Sequence, residues 1–230
     1  MEKTRPSPRR DESLSRERIV DAAIALLDAG GADGLTFRAL AERLATGAGA
    51  IYYHVANKSD LLTAACDSVI AHTLAECAVD GSPAAQIRDI ALGLFDAIDA
   101  HAWVGSALAG APGELPGVRI LERIGRQVDA LGVPHGGQWA AVCALVNYIM
   151  GVAGQNAANS QIARTHAYDR ASLLDAMATR WSQLDAQQFS FTRSVADQLR
   201  DHDDRADYLT GLDLILQGME TLYAHPGQKD

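Results

Sequence analysis

Residues 36–62 read TFRALAERLATGAGAIYYHVANKSDLL, and this stretch decides the fold of the N-terminal part of the chain. It begins with a short predicted helix that Thr36 is placed to cap. The inward-facing residues of this helix are Phe37, Leu40, Ala41 and Leu44. Small residues at 45–47 predict a turn, and a second short helix is expected from about 48 to 55. Two short helices joined by a tight turn can place the second helix in the major groove of DNA.

The second of these helices has a surface that suits DNA. Because Ile51 and Val55 are expected to face inward, the outward positions are Ala48, Gly49, Ala50, Tyr52 and Tyr53. Glycine and alanine let a backbone approach base edges closely, and alanine methyl groups can contact thymine methyl groups. His54 and the tyrosines offer donors to phosphates, and Lys58 begins the next helix, where a cation suits a phosphate. Spacing alone leaves open a small helical hairpin with two ordinary surface tyrosines.

Helical patterns flank this stretch on both sides. The preceding residues repeat apolar side chains at helical spacing, namely Ile19, Ala22, Ala23, Leu26 and Leu27. Ser15 is placed to cap that helix and Gly30-Gly31 to end it. Asn57 and Asp60 have capping-box spacing for a helix that reaches about Cys77. We therefore expect a helix-turn-helix domain at residues 15–62.

Residues 1–14 lack periodicity, and we expect them to form a flexible arm. Its basic residues are Lys3, Arg5, Arg9 and Arg10. The arm could enter a minor groove of DNA or remain a disordered tail, and the sequence leaves both open.

Residues 63–230 are expected to form a larger helical domain. Helices are predicted near 83–101, 103–109, 117–131, 136–157, 169–187, 190–200 and 204–223. Ser82 caps the first of them, and Pro83 suits its first helical position. No stretch alternates apolar and polar residues with a period of two over enough β-branched residues to predict a strand. The predicted fold class is all-α, with a helix-turn-helix domain followed by a larger helical domain.

The charge of the chain is unevenly distributed. Residues 1–60 hold 9 Lys/Arg and 9 Asp/Glu, whereas residues 61–230 hold 11 and 20, which accounts for the whole net charge of −9. The acidity therefore belongs to the C-terminal part. A neutral, locally basic N-terminal part is compatible with DNA binding but is not an argument for it.

The composition indicates a cytoplasmic protein. We find no apolar run that approaches the length of a membrane span, and no apolar signal core at the N-terminus, so we expect no membrane partner. The cysteines Cys66, Cys77 and Cys143 are widely spaced in apolar helical stretches. They are predicted to be buried free thiols rather than a zinc site or a disulfide framework.

The stretch Leu40–Leu62 resembles the DNA-binding signature of the tetracycline-repressor (TetR) family. That signature has a Leu-Ala pair, a Gly-Val-Ser turn, a Leu-Tyr-x-His-Phe/Val core, an Asn/Ser-Lys pair and a Leu-Leu pair. With the first helix the resemblance covers about residues 15–65, and so many coincident positions make it specific. It implies a homodimeric transcription regulator that binds a palindromic operator in double-stranded DNA. It also implies a repressor that a small-molecule effector releases from DNA.

The resemblance implies a role for each matching position. Thr36, Tyr52, His54 and Lys58 correspond to positions that usually hold the phosphate backbone. Ala48, Gly49, Ala50 and Tyr53 correspond to positions that usually meet base edges, and Arg38 to one that in some members reaches a guanine. Ala45 and Thr46 replace the usual Gly-Val, and Gly47 replaces a common serine cap. The predicted DNA-binding set is Thr36, Arg38, Thr46, Gly47, Ala48, Gly49, Ala50, Tyr52, Tyr53, His54 and Lys58.

The helix near 136–157 is apolar nearly all round, so we expect it to be buried on most sides. Asn147 in its middle then needs a partner, which is a protein group, a dimer mate or a ligand. Aromatic residues spread over several helices would line a pocket or fill a core. The candidate ligand-binding residues are Trp103, Trp139, Asn147, Tyr148, Gln155 and Trp181.

Residues 208–219 resemble the last helix of the tetracycline-repressor-like C-terminal domain. The resemblance implies that this helix and the Asn147 helix pair with their two-fold mates. The candidate dimer-interface residues are Gly211, Leu212, Ile215, Leu216, Gly218 and Met219. Gln155 aligns with a glutamate that serves bound magnesium in the tetracycline-binding member, and glutamine is a poor ligand for a hard cation. We expect neither a metal nor a cofactor, and the sequence leaves the effector open.

Two other functions are alternatives for an all-α chain of this kind. An all-α enzyme is not expected, because the Glu-x-x-His pairs of di-metal bundles are absent and His72 and Glu76 form a lone pair. The run His202-Asp203-Asp204 is polar enough for a metal but precedes a helix, where carboxylates favour the positive end of the dipole. A constitutive DNA-binding regulator without a ligand is the second alternative, and a fully packed C-terminal core would indicate it. The sequence does not decide between repression and activation.

Overall fold

The computed structural model of the chain describes residues 14–111, 113–166 and 169–223, without the side chains of 163–166. Every regular element in these ranges is helical, which confirms the all-α prediction. The contacts divide the chain into two units, which we name the head, ending at Val69, and the body, beginning at Ile70. The predicted basic arm lies outside the described residues except for Leu14.

Four helices contribute residues to the head. They are α1 (Arg16–Gly34), α2 (Phe37–Arg43), α3 (Ala48–Tyr52) and α4 (Lys58–Glu76), the last of which runs on into the body. The three predicted caps are confirmed, since the side-chain oxygens of Ser15, Thr36 and Asn57 each accept a backbone N–H three residues on, at 3.2, 3.1 and 2.9 Å. The predicted stop at Gly30-Gly31 is confirmed for the regular part of α1, because Gly31 adopts the non-helical φ 60° and ψ −162°. A short helical turn follows this kink and continues to Gly34.

The core of the head is built from one apolar face of each helix. Its fully or nearly buried side chains include Ile19, Ala23, Leu27, Leu35, Leu40, Ile51, Val55 and Leu61. The predicted inward pair of the second short helix is confirmed, because Ile51 is 0% and Val55 5% exposed. Burial of such side chains is the main source of stability for a small helical unit, at roughly 1.5–3 kcal/mol each.

The remaining helices belong to the body. They are α5 (Pro83–Ala100), α6 (Trp103–Gly110), α7 (Leu115–Ala130), α8 (His135–His166), α9 (Arg170–Ser182), α10 (Ser190–Ser194) and α11 (Asp204–Tyr223). α8 extends past its predicted end at 157, and the helix predicted over 190–200 is instead the short α10 and a 3₁₀ turn at Asp197–Leu199. α9 stops before its predicted end at 187, because Asp185 Oδ1 accepts the N–H groups of Gln187 and Gln188 and turns the chain.

α8 is the central helix of the body and packs on α5, α7 and α11. α8 and α11 run antiparallel, since Gly137 lies against Tyr223 and Tyr148 lies against Gly211. A Cβ added at Gly211 would overlap the hydroxyl of Tyr148, so any larger residue at this crossing would require the Tyr148 ring to move.

One stretch of α8, His135–Ile162, is long and apolar enough to cross a membrane by length and composition alone. The sequence analysis predicted no run of that kind. Only 28% of this window is buried within the single chain and the rest is half-buried or exposed, contrary to the expectation of a helix buried on most sides. The finding is weak evidence for a membrane, because a core helix of a soluble protein passes the same test.

The three cysteines are free, and the predicted burial holds for two of them. Cys66 and Cys77 are buried, whereas Cys143 on α8 is half-buried. Burial, together with the neighbouring Asp67, raises the pKa of the Cys66 thiol to about 12. Cys66 is therefore a protonated core side chain.

Candidate functional site

The turn between α2 and α3 is a closed Schellman motif. The N–H of Thr46 donates to the carbonyl of Ala41 at 3.0 Å, and the N–H of Ala45 donates to that of Glu42 at 3.2 Å. Ala45 adopts φ 49°, in the left-handed region that favours glycine. This geometry explains why the resembling signature has glycine here. Alanine adopts the same turn at a strain of about 1 kcal/mol.

The recognition helix α3 is short and largely uncovered. It ends at Tyr52 and not near 55, because the N–H groups of His54 and Val55 both donate to the carbonyl of Ile51, at 2.9 and 3.1 Å. Its outward residues Ala48, Gly49 and Ala50 are exposed. α3 therefore offers a bare backbone surface rather than a row of long side chains.

Two tyrosines extend from the end of α3. Tyr53 is 88% exposed, and its ring meets that of His54 edge-on with centroids 5.3 Å apart. Tyr52 is 54% exposed and stacks on Phe37 of α2, with centroids 4.3 Å apart and planes 15° apart. The stacking fixes the ring of Tyr52, so its hydroxyl has a defined position.

Two exposed cations lie at the edges of the helix-turn-helix. The Arg38 side chain is 90% exposed, and its Nε donates to Glu42 Oε1 at 3.2 Å. Lys58 Nζ donates to the carbonyl of Ala32 at 2.6 Å, just beyond the kink in α1. None of the predicted DNA-binding residues is buried; Thr46 and His54 are half-buried and the rest are exposed.

The body contains two adjoining clefts of about 430 and 280 Å³ that share Asn156, His202 and Asp204. The other residues lining the larger cleft are Phe95, Asp99, Ser160, Arg170, Asp203 and Arg205. The other residues lining the smaller cleft are Tyr148, Val152, Gln155, Asn159, Asp207 and Tyr208. The clefts thus draw on α5, α8, the start of α9 and the start of α11.

A network of charged groups organises the start of α11. Both ring nitrogens of His202 face carboxylates, with Nδ1 2.6 Å from Asp207 Oδ2 and Nε2 2.9 Å from Asp204 Oδ1. Arg170 pairs with Asp204 and donates to the carbonyl of His202 at 3.3 Å. This network ties α9 to α11. Among the residues that the structure describes, no group of three or more His, Cys, Asp or Glu could hold a metal ion.

Asp203 caps α11, as the sequence analysis expected of a carboxylate in this position. Its Oδ1 accepts the N–H groups of Arg205 at 2.9 Å and Ala206 at 3.0 Å. The bond from Ala206 contributes most, and together the two bonds hold the pKa of the Asp203 carboxyl below its ordinary value. The positive end of α11 is therefore already neutralised within the chain.

Aromatic rings form the other side of the smaller cleft. Tyr208 is 1% exposed and its hydroxyl donates to the carbonyl of Ala91 at 2.9 Å. The ring of Tyr148 stacks on it, with centroids 5.8 Å apart and planes 6° apart, and the Tyr148 hydroxyl donates to the Tyr208 carbonyl at 2.8 Å. Burial raises the pKa of both phenols, and the charge of Asp207 adds to the rise at Tyr148.

The structure separates the predicted ligand-binding residues. Tyr148 and Gln155 line the smaller cleft, whereas Trp103, Trp139, Asn147 and Trp181 line neither cleft. Trp103 belongs to the core, Trp139 is 71% exposed, and Asn147 is exposed, so the expected burial of Asn147 is wrong for the single chain. Helical periodicity shows that α8 is apolar but does not show which neighbours cover it.

Four cleft residues, His202, Asp204, Asp207 and Asn156, are not predicted from the sequence. The polar run His202-Asp203-Asp204 predicts the start of a helix. That interpretation holds for Asp203. The part played by Asp204 depends on its ion pair with Arg170 on another helix, which no local pattern reveals.

The predicted dimer stripe on α11 needs a correction. Leu212, Leu216 and Met219 are buried within the body, at 0%, 1% and 7% exposure, so their side chains are not available to a partner. Ile215 is half-buried, Gly211 lies against Tyr148 of the same chain, and Gly218 is exposed. The large apolar residues that remain exposed on this pair of helices are Trp139, Ile162, Leu214 and Leu222.

Comparisons with known proteins identify the family. Residues 19–65 match the family model described as bacterial regulatory proteins, tetR family. The solved structure of a transcriptional regulator described as a TetR from Streptomyces coelicolor is 50% identical, with a TM-score of 0.84, and the match covers 92% of this chain and 100% of that one. The chain belongs to the tetR family of bacterial regulatory proteins.

Two further relatives extend the comparison. An HTH-type transcriptional regulator of Saccharopolyspora erythraea is 31% identical over 150 residues, which is 60% of this chain and 59% of the relative. The match therefore spans about three fifths of that curated relative. ActR from Streptomyces coelicolor, solved in complex with actinorhodin, is 24% identical with a TM-score of 0.76 over 93% of this chain and 99% of that one. At this identity ActR shows the shared fold.

Proposed function

We propose that the chain is a homodimeric repressor that binds a palindromic operator through α3 and leaves it when a small molecule binds the body. The observation that carries the DNA-binding part is the closed α2–α3 turn beside a recognition helix whose outer surface is bare. The proposal rests also on membership of the tetR family.

In this proposal α3 lies in the major groove, and its small residues bring the backbone close to the bases. Few long side chains on α3 are then available to contact the base edges. The preference for one DNA sequence therefore comes from Arg38 and Tyr53 together with contacts to thymine methyl groups and recognition of DNA shape. Arg38 is free to reach a guanine, because an exposed i,i+4 ion pair such as that with Glu42 is worth only about 0.3–0.5 kcal/mol.

The phosphate contacts assigned by the resemblance fit the geometry of the head. A lysine ammonium has three donors, so Lys58 can keep its bond to the Ala32 carbonyl and still bind a phosphate. The bond to Ala32 then orients Lys58 before DNA arrives. Tyr52, fixed on Phe37, offers its hydroxyl to the backbone in the same way.

Dimerisation is proposed through the exposed face of α8 and α11. This face carries Trp139, Leu214 and Leu222 together with small residues such as Gly218. An apolar helical face left uncovered in one chain is typical of a surface that a second copy covers. Two recognition helices related by a two-fold axis would read half-sites about one DNA turn, or a small multiple of it, apart.

The clefts of the body support regulation by a ligand. A fully packed body would have favoured the constitutive regulator, and clefts of about 430 and 280 Å³ argue against it. ActR, which shares the fold, is known with a small molecule bound. An effector that prefers the form with low operator affinity shifts the population towards it, and α4, which has residues in both units, is the proposed coupling element.

The test of the DNA-binding function is operator selection with the purified protein, followed by binding isotherms over a salt series. The selected sites should be inverted repeats. Arg38→Ala is expected to weaken operator binding about tenfold or more, chiefly through one base pair. Lys58→Ala should weaken operator and scrambled duplexes equally and lower the salt slope by about one.

Arg126→Ala in the body is the matched control, because Arg126 forms the same kind of exposed i,i+4 pair, with Glu122. It should leave operator affinity unchanged. Equal losses of operator and scrambled binding in Arg38→Ala would remove its base-reading role. Selected sites without an inverted repeat would contradict the dimer.

A further inference from the structure

The smaller cleft of the body presents rings, not hydroxyl groups, on its aromatic side. Tyr148 and Tyr208 both line it, and both phenol hydroxyls donate to backbone carbonyls. Because Tyr148 is only half-buried and Tyr208 stacks behind it, the ring of Tyr148 is the accessible aromatic surface. A ligand with a planar apolar part would find a stacking partner there.

The charged groups that line the two clefts are predominantly acidic. Among the described residues they comprise four carboxylates, those of Asp99, Asp203, Asp204 and Asp207, and two guanidinium groups, those of Arg170 and Arg205. Arg205 pairs with Asp96, which lines neither cleft, and Arg170 pairs with Asp204. Both guanidinium groups are therefore already paired, and His202 lies between Asp204 and Asp207. The described carboxylates that line the clefts outnumber the guanidinium groups by two.

Asp207 brings this negative charge to the aromatic side. Its carboxylate contacts His202 through one oxygen, and its charge contributes to the raised pKa of Tyr148. The Asp207 side chain is 64% exposed, so it can meet a ligand without leaving His202. A positive group between Asp207 and the Tyr148 ring would gain both an ion pair and a cation–π contact.

An anionic ligand would meet the opposite situation. The first N–H groups of α11 could attract an anion, but the Asp203 carboxylate already accepts two of them. The Arg170 guanidinium is held by Asp204 and by the carbonyl of His202. An anion would have to displace these carboxylates, whereas a cation leaves them in place.

We propose that the effector is an organic cation with a planar apolar part, which lies on the ring of Tyr148 and directs its charged nitrogen to Asp207. This ligand class rests on the ligand-released repressor proposed above and specifies what that repressor senses. The amide oxygens of Gln155 and Asn159, which line the same cleft, supply further acceptors for the N–H groups of such a ligand.

The test uses the full-length protein without DNA and three tricyclic probes of similar shape. 9-Aminoacridine is a cation, acridone is neutral and acridine-9-carboxylate is an anion, and binding is followed by probe fluorescence. The cation should bind at least about tenfold more tightly than the other two, as expected for one charge-assisted contact. Asp207→Asn should reduce cation binding about tenfold and leave acridone binding unchanged.

Two further variants isolate the position of the charge. Asp129→Asn removes the same charge outside the clefts, where Asp129 accepts a bond from Gln138, and should change cation affinity less than about twofold. Gln155→Glu adds a carboxylate at an exposed cleft position and should tighten cation binding severalfold. This gain keeps the test decisive if Asp207→Asn fails to fold.

Three results would overturn the proposal: no probe binds, acridone or the carboxylate binds as tightly as the cation, or Asp129→Asn loses as much as Asp207→Asn. Operator binding is measured on the same preparation. Intact operator binding without a preference for the cation overturns the ligand class alone. A protein that selects no operator overturns the proposed regulator itself.

Discussion

The candidate site of the head comes from one short stretch of sequence, whereas that of the body combines residues that are far apart in the sequence. In the head the predicted DNA-binding residues fall within residues 36–58, on two short helices and the turn between them. In the body the residues that line the clefts are spread from Phe95 to Tyr208 in the sequence. They belong to four helices and to the residues just before α11. The head site is therefore a product of local sequence, and the body site is a product of packing.

The head and the body also differ in how their charged side chains are distributed and paired. Residues 1–60 are balanced in charge, and the exposed cations of the head form weak or easily shared contacts. The body is acidic, and two of its cations, Arg170 and Arg205, are paired with carboxylates of other helices. The charge of the head is therefore compatible with binding a polyanion, whereas the body keeps a surplus of carboxylates at its clefts.

The largest expected effect comes from removing one core leucine from each unit. Leu40 in the head and Leu94 in the body are both 0% exposed, and Leu→Ala at such positions costs about 2–5 kcal/mol. The head should suffer more, because it has the smaller core. Leu40→Ala should abolish operator binding, whereas Leu94→Ala should destabilise the body.

The tryptophans make the two effects separable. All three, Trp103, Trp139 and Trp181, lie in the body, so their fluorescence during urea unfolding follows the body alone. Leu40→Ala should leave this transition unchanged while far-UV circular dichroism shows an earlier loss of helix. If Leu40→Ala shifts the tryptophan transition as far as Leu94→Ala does, the two units unfold as one and do not have independent stabilities.

The next effect concerns the buried tyrosine of the body. Tyr208→Phe removes the donor to the Ala91 carbonyl, which lies within α5 and keeps its helical bond, so the expected cost is that of one lost hydrogen bond, about 0.5–1.5 kcal/mol. Urea unfolding followed by tryptophan fluorescence measures the loss. Tyr53→Phe is the control, because Tyr53 is 88% exposed, and it should change stability by less than about 0.5 kcal/mol. A loss in Tyr53→Phe as large as in Tyr208→Phe would contradict the prediction.

The contrast between the units explains what could be predicted from the sequence. The caps at Ser15, Thr36 and Asn57 and the inward pair Ile51 and Val55 follow from spacings of four residues or fewer, and all were predicted correctly. Gly31 interrupts α1 where the sequence predicts its end, but the short helical turn that follows to Gly34 has no such local signal.

The body could be predicted only as far as its helices. The pattern of α11 shows an apolar face, but whether Leu212 meets its own chain or a second copy depends on where α8 and α5 lie. The pairing of Arg170 with Asp204 joins residues 34 positions apart in the sequence. Contacts of that kind are set by tertiary packing, and no helical period encodes them.

A smaller effect, of opposite sign, is expected at the turn of the head. Ala45→Gly removes a strain of about 1 kcal/mol at φ 49°, and the greater conformational freedom of glycine in the unfolded chain offsets about half of it or more. A gain of no more than about 0.5 kcal/mol is therefore expected. Hydrogen exchange of the Leu44 amide, which is bonded to the Leu40 carbonyl, measures the stability of the head.

Ala29→Gly is the matched control for that substitution. Ala29 is an exposed residue within α1, so the same change there should cost about 0.5–1 kcal/mol. Stabilisation at Ala45 and destabilisation at Ala29 would show that the backbone conformation, and not the loss of a methyl group, sets the sign. Destabilisation at both positions would mean that the left-handed turn carries no strain.

The smallest expected effect lies at the start of α3. Gly47 has the extended backbone of a cap, φ −84° and ψ 146°, makes no side-chain bond, and has no atom within 4 Å of an added Cβ. Gly47→Ser should therefore add a hydroxyl that accepts an N–H from Gly49 or Ala50 and stabilise the head by a few tenths of a kcal/mol. Gly47→Ala adds the same Cβ without the hydroxyl and should destabilise it by about 0.5 kcal/mol.

The difference in stability between the serine and alanine variants is measured by hydrogen exchange of the same Leu44 amide. Because both variants lose the glycine, this difference reports the capping hydrogen bond alone. A difference of about 1 kcal/mol would show that the first N–H groups of α3 lack a protein partner in the free protein. They would then remain available to a phosphate, which is what a recognition helix without a side-chain cap offers. Equal stability of the two variants would mean that the serine hydroxyl does not cap α3.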